Sequence, residues 1–282
     1  MPPPWPEIPP FLDPKSAVAR KKTKQQKASS AESVVAKVRA GGGGSGLSRA
    51  KIVEWIKSLG SVLLIFFALR IFLVEAYRIP SPSMVPTLLV GDWLFVNKLR
   101  FGPHIPFTNI NLPGYAEPQR GDVIVFESPT QVDQPWDPTP TLVKRMVAIG
   151  GDTVHMRDGV FHLNGVAQRQ GFASTNPVGD GTEVNPLYEW QKQHQITGSR
   201  FGPPPAQSTH DNWGPLIVPA GHYLMLGDNR YNSKDGRYWG PVPRANIRGR
   251  PLFVYYSWDA DSDRPLPFLT DIRWRRLLHW IE

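Results

Sequence analysis

The chain has 282 residues, a net charge of +8, 40% apolar residues and no cysteine. That length and apolar share suffice for one or two domains with a real core and exclude a wholly disordered chain. The missing thiols exclude a cysteine nucleophile, a thiolate metal site and a disulfide framework, but they leave the compartment open.

The charge is concentrated at one end. Before residue 60, eleven Lys and Arg face four Asp and Glu, so +7 of the +8 lies there and the remainder is nearly neutral. This basic flank is almost free of aromatic residues. It therefore fits the cytoplasmic side of a membrane segment better than a nucleic-acid site, which interleaves aromatics to stack bases.

In chain order, residues 1–50 combine a Pro-rich start, a Lys/Gln/Ser stretch and Gly41-Gly42-Gly43-Gly44-Ser45-Gly46, a composition expected to stay flexible. Leu59 to Val74 form a strongly apolar run. Sixteen helical residues rise only about 24 Å, so Ile52, Val53, Trp55 and Ile56 are needed to span a core of roughly 30 Å. Residues 51–75 are therefore read as a transmembrane signal anchor. Arg70 interrupts the run and argues against a buried soluble helix. Val74-Glu75-Ala76 looks like a cleavage site, but a charged leader of about fifty residues is too long for an ordinary signal peptide.

Residues 76–282 carry strand signals. Trp93–Val96, Val123–Phe126, Leu142-Val143, Tyr223–Leu226 and Leu252–Tyr256 are short β-prone runs bounded by Gly and Pro. Asp158-Gly159 sits between two more and predicts a hairpin. Residues 127–140 and about 170–215 are rich in Pro, Gly, Asn and Gln and read as loops, the second as an insertion. Ile272 to Ile281 has the spacing of an amphipathic interfacial helix or of a plain closing helix packed on the sheet. The expected fold is mainly β: an antiparallel-sheet ectodomain with an inserted smaller lobe, preceded by one N-terminal transmembrane helix.

Three stretches stand out chemically. Ser81-Pro82-Ser83-Met84-Val85-Pro86-Thr87-Leu88 is a rigid, hydroxyl-bearing turn. Ser83 lies nine residues from Val74, within about 30 Å even if fully extended, and so close to the bilayer. Lys144-Arg145 opens a polar pair inside an apolar strand, and Gly227 to Gly240 is a polar turn. Taken singly, each has a bland reading as a turn serine, a strand-edge pair or a loop. The seven histidines show no metal-ligand spacing, and no phosphate-binding loop occurs.

Together the three stretches resemble the catalytic boxes of the bacterial type I signal peptidases, membrane-bound Ser/Lys proteases. The resemblance covers about residues 50–165 and 213–258. It implies Ser83 as nucleophile, with its backbone N–H and the Ser81 hydroxyl as oxyanion donors, and neutral Lys144 as general base. Lys144 must then be brought from about 10.4 to near 8 by burial. Ser233 would hydrogen-bond Lys144 and aim it. Asp235 and Arg237 would brace the turn, and Asp228 and Arg230 would be structural. Tyr77, Ile79, Met84, Leu88, Leu94, Leu142 and Val143 match positions lining shallow apolar pockets for small side chains, or they are simply core. Pro82, Gly150 and Tyr231 depart from the family pattern, which the resemblance gives as glycine, proline and aspartate at these positions.

The resemblance implies no metal or cofactor, exported preproteins as substrates, membrane lipid as a neighbour and no nucleic acid. It places the protein in the cell (inner) membrane as a single-pass protein, N-terminus cytoplasmic and catalytic domain outside. A related Ser/Lys processing peptidase, a self-cleaving repressor relative and a non-enzymatic membrane-tethered β module are the competing classes.

Overall fold

A computed structural model describes residues 49–105, 108, 110–168, 181–198 and 200–282. The chain divides into two units, residues 1–62 and 63–282. Helix α1 (Arg49–Phe72) runs across that boundary. Within it Lys51–Arg70 has a mean hydropathy of 1.9 and none of its length is buried, which makes it long and apolar enough to cross a membrane. The tail expected over residues 1–50 lies almost wholly outside the described residues.

The second unit is built of antiparallel sheet. Strands β1 (Val74–Arg78), β2 (Asp92–Asn97), β3 (Val123–Glu127), β4 (Thr141–Ile149), β9 (His222–Leu226), β10 (Val242–Pro243), β11 (Ile247–Ser257) and β12 (His279–Trp280) form the larger sheet. Their order is β1-β2-β11-β3-β4-β9-β10, with β12 beside β11. Strands β5 (Thr153–Arg157), β6 (Val160–Leu163), β7 (Val166–Ala167) and β8 (Trp213–Ile217) form a four-stranded sheet in the order β7-β6-β5-β8. Bulges in β11 let this long strand bend between two sets of neighbours.

Every run read as a strand lies in one: β2, β3, β4, β9 and β11. Asp158-Gly159 closes the β5–β6 hairpin with both residues at positive φ, the conformation that a two-residue turn between twisted strands needs. The cleavage-like Val74-Glu75-Ala76 is the start of β1, paired with β2.

Two expectations are corrected. Residues 272–281 form no helix; a short 3-10 turn (Trp274–Arg276) leads into β12. The unpaired edge of β11 accounts for the difference. Leu278 N–H donates to Val254 O and Ile281 N–H to Leu252 O, satisfying main-chain groups that a separate helix would leave open. Residues 170–215 are not simply a loop either. Their described part holds a 3-10 helix (Pro186–His194), begun by a proline and capped by Asn185, and reaches into β8 at Trp213. Its abundant Pro and Gly masked these elements.

Three apolar clusters fill the fold. Ile79, Met84, Leu88, Leu94, Val123, Val254 and Ile281 pack behind the turn that joins β1 to β2. Phe101, Ile124, Phe126, Met146, Met225, Val242 and Ile247 form a second. The third ties the two sheets together through Ala148, Val154, Met156, Trp213, Leu224 and Leu226.

Candidate active site

Ser83 lies in a 3-10 turn (Pro82–Met84) between β1 and β2. Pro82 opens that turn, where its fixed negative φ fits and its missing N–H is not needed. The departure from glycine at this position therefore costs the turn nothing. Met84 and Leu88, on the far side of the turn, enter the first cluster and seat it.

Lys144 is in the middle of β4, opposite Ile124 of β3. In this strand Lys144, Met146 and Ala148 share one face and all three are buried. The strand's period thus carries the amine into apolar surroundings. Its Nζ stands 2.6 Å from Ser83 Oγ. Burial is the main force on it: with 3% of the residue exposed, the pKa falls from 10.5 to about 8. The Asp235 and Asp228 carboxylates pull it back up, and the Arg237 guanidinium pushes it further down. Ser81 Oγ lies 3.3 Å from Ser83 Oγ on the exposed side.

The third box, following β9, is folded onto the serine turn. Asn229 N–H donates to Ser83 O at 3.1 Å and Asn229 Nδ2 to Pro82 O at 3.2 Å. Gly227 makes this approach possible: a Cβ there would stand 2.2 Å from Ser233 Oγ and 2.6 Å from Ser83 O. Ser233 is buried beside this contact, but its hydroxyl makes no hydrogen bond to Lys144 among the described residues. Burial pushes the neighbouring Asp235 carboxyl up, but the Arg237 guanidinium outweighs it and holds that carboxyl below its ordinary range.

Asp235 and Arg237 are fully buried and joined by two bonds of 2.8 Å. Asp235 also accepts from Gly227 N–H, 3.0 Å away, so the pair fixes the start of the box. Arg230 donates from Nε to Gly227 O at 3.0 Å and lies over the Phe161 ring. Asp228 faces the other way. It takes a two-pronged contact from Arg145 (2.8 Å to each oxygen) and accepts from Thr87 Oγ1 at 2.6 Å.

Arg145, Thr87, Asn229 and Gly227 thus tie the three boxes together, and the sequence reading gave none of them a role. Their signal was position within the quoted motifs. Arg145 follows Lys144 directly and therefore points to the opposite face of β4, where Asp228 meets it.

Of the residues matched to substrate pockets, Ile79, Met84, Leu88, Leu94 and Val143 do come together in one cluster, while Leu142 packs into another. Met84, Leu88 and Leu94 are at most 1% exposed and serve as core. Tyr77, across from Leu94 in β1, and Val143 are half-buried.

Residues 52–258 match the family model for "Signal peptidase, peptidase S26". The chain is 38% identical to Signal peptidase I of Pseudomonas fluorescens over 234 residues, covering 77% of this chain and 76% of that one. The Pseudomonas aeruginosa protein of the same name is 37% identical over 232 residues, with the same coverage. The Aquifex aeolicus Signal peptidase I is 32% identical over 246 residues, covering 77% and 88%. The family match makes the class serine protease, on a mainly antiparallel-β fold that brings a serine and a buried lysine into contact. The chain belongs to the signal peptidase family S26.

Proposed function

We propose that the protein is a membrane-bound serine endopeptidase that removes N-terminal signal peptides from exported preproteins, using Ser83 and Lys144 as its dyad. The observation that carries this reading is the 2.6 Å contact between Ser83 Oγ and a lysine amine held out of water. Neutral Lys144 takes the Ser83 proton as Oγ attacks the scissile carbonyl carbon. The Ser83 N–H and the Ser81 hydroxyl donate to the resulting oxyanion. As the tetrahedral species collapses, the C–N bond breaks and protonated Lys144 gives its proton to the leaving amine, the new N-terminus of the mature protein. Lys144 then takes a proton from water, hydroxide adds to the acyl ester, and Ser83 leaves with the proton returned.

Small apolar side chains next to the scissile bond suit the half-buried edge formed by Tyr77 and Val143, backed by the Met84–Leu88–Leu94 core. Asp228, Arg230, Asp235 and Arg237 act as supports, and Ser233 as a buried neighbour of the dyad. The apolar span of α1 and the basic flank before it support a single-pass arrangement, N-terminus cytoplasmic, with residues 76–282 outside the inner membrane.

Purified Ser83→Ala and Lys144→Ala variants, assayed on a preprotein in detergent, test the dyad. Each is expected to lose at least about 10³ in kcat. In wild type kcat/KM should rise with pH through about 8, where Lys144 sheds its proton. Undiminished cleavage by either variant overturns the assignment.

A further inference from the structure

The segment read as an inserted loop grips the third box from outside. Arg237, wholly buried, is held at both ends by this segment. Its carbonyl oxygen accepts from Trp190 Nε1 at 3.0 Å and from Gln191 Nε2 at 3.1 Å, both on the 3-10 helix. Its guanidinium meets the ring of His210, with Nη1 against Nε2. Arg230 O, 2.8 Å from the same Nε2, accepts from Arg237 Nη2 at 2.6 Å. On its other side the ring donates from Nδ1 to Asp211 Oδ1 at 2.5 Å, since a carboxylate accepts. Tyr231 closes the group: its ring stacks on His210 at 4.7 Å, and its hydroxyl donates to Asp211 Oδ2 at 3.2 Å.

Glycines keep a slot open for this cluster. A Cβ on Gly181 would lie 1.8 Å from Asp211 Oδ2, and one on Gly159 would lie 2.7 Å from the Tyr231 hydroxyl. Main-chain bonds fasten the same points: Gly159 N–H donates to Asp211 O and Asp211 N–H to Gly181 O, each at 3.1 Å. Two separate segments leave out their side chains around one carboxylate, which makes the cluster a built part of the fold. Tyr231, a departure from the family's aspartate, is here the partner of a carboxylate supplied by another segment.

We propose that His210 and Asp211 are positioning residues for the reaction: acting through Arg237 and the Arg230 carbonyl, they fix the third box against the dyad, with Tyr231 holding both in place. The inference rests on the assignment of Lys144 as the base. Its link to the chemistry is electrostatic. Asp235 and Asp228 favour the charged amine, and Arg237 opposes it. The groups facing His210 are Asp211, Tyr231 and Arg237. If Arg237 swings away, the carboxylate field at Lys144 goes unopposed and the amine keeps its proton to higher pH.

The test compares full-length His210→Gln, Asp211→Asn and Tyr231→Phe in detergent with wild type and Lys144→Ala, reading kcat, KM and the pH profile on a preprotein. His210→Gln and Asp211→Asn should lower kcat about fivefold, keep KM within roughly twofold, and move the acidic limb of kcat/KM up by about half a unit. Tyr231→Phe, which loses one hydrogen bond and keeps the stack, should shift it the same way by less. Should His210→Gln fail to fold, the isosteric Asp211→Asn carries the test. An unmoved acidic limb in a folded variant, with Lys144→Ala inactive, overturns this inference and leaves the dyad standing. Full activity in Lys144→Ala overturns the dyad itself.

Discussion

At neutral pH Lys144 is a charged group in a dry place. Burial brings it from 10.5 to about 8, so below pH 8 both the folded and the unfolded chain carry the proton, and the folded one holds it at a cost of about 3 kcal/mol. Between pH 8 and 10.5 the unfolded chain binds more protons than the folded one, and stability therefore rises with pH. Above 10.5 both forms are neutral and the cost is gone. Lys144→Met, which fills similar space without charge, should thus be inactive yet unfold at a higher temperature than wild type at pH 7. The gap should close as pH is raised toward 10. Thermal unfolding followed by circular dichroism across that range is the measurement, and a variant less stable than wild type at pH 7 would contradict it.

Among the elements, the turn that carries Ser83 depends on a segment nearly two hundred residues away. Asp92, fully buried at the start of β2, accepts from Leu89 N–H at 2.8 Å, from Ser257 Oγ at 2.7 Å and from Arg276 Nη2 at 2.6 Å. Arg276 also donates to Thr87 O at 3.0 Å, and Arg273 Nη1 to Val90 O at 2.7 Å. Ile281 fills the cluster beneath Met84 and Leu88. The closing segment is thus a clamp on the β1–β2 turn. Arg276→Gln leaves a buried carboxylate with two neutral partners and should cost about 3 kcal/mol, together with a fall in kcat from a loosened Ser83. Urea denaturation should show the midpoint falling at an unchanged slope, and a midpoint equal to wild type would remove the clamp from the account.

For the whole molecule, the proposed location of the catalytic unit rests on the basic flank and α1. The twenty residues of Lys51–Arg70 rise about 30 Å, enough to cross the hydrocarbon core once, and the +7 flank favours the cytoplasmic face. The protein should stay with membranes through alkaline carbonate and leave them in detergent. In sealed inverted inner-membrane vesicles, added protease should trim the N-terminal tail and spare residues 76–282. Digestion of the catalytic unit in intact vesicles would reverse the proposed orientation.

The family, the antiparallel-β class, the apolar span and the Ser83–Lys144 pairing were all legible in the chain. The sheet class and the span depend on local pattern, strand runs between Gly and Pro and an apolar run of helix length, whereas the family and the pairing came from the resemblance carried by three motifs. The tertiary structure decided what depends on distant partners. β4's alternation and the packing around it dehydrate Lys144. Gly227 lets two boxes touch. An open edge on β11 turned an expected helix into a strand. The supposed loop delivers His210 and Asp211 to Arg237. Such choices turn on which main-chain groups lie unpaired and which charges meet in a dry interior, and only the assembled fold fixes those.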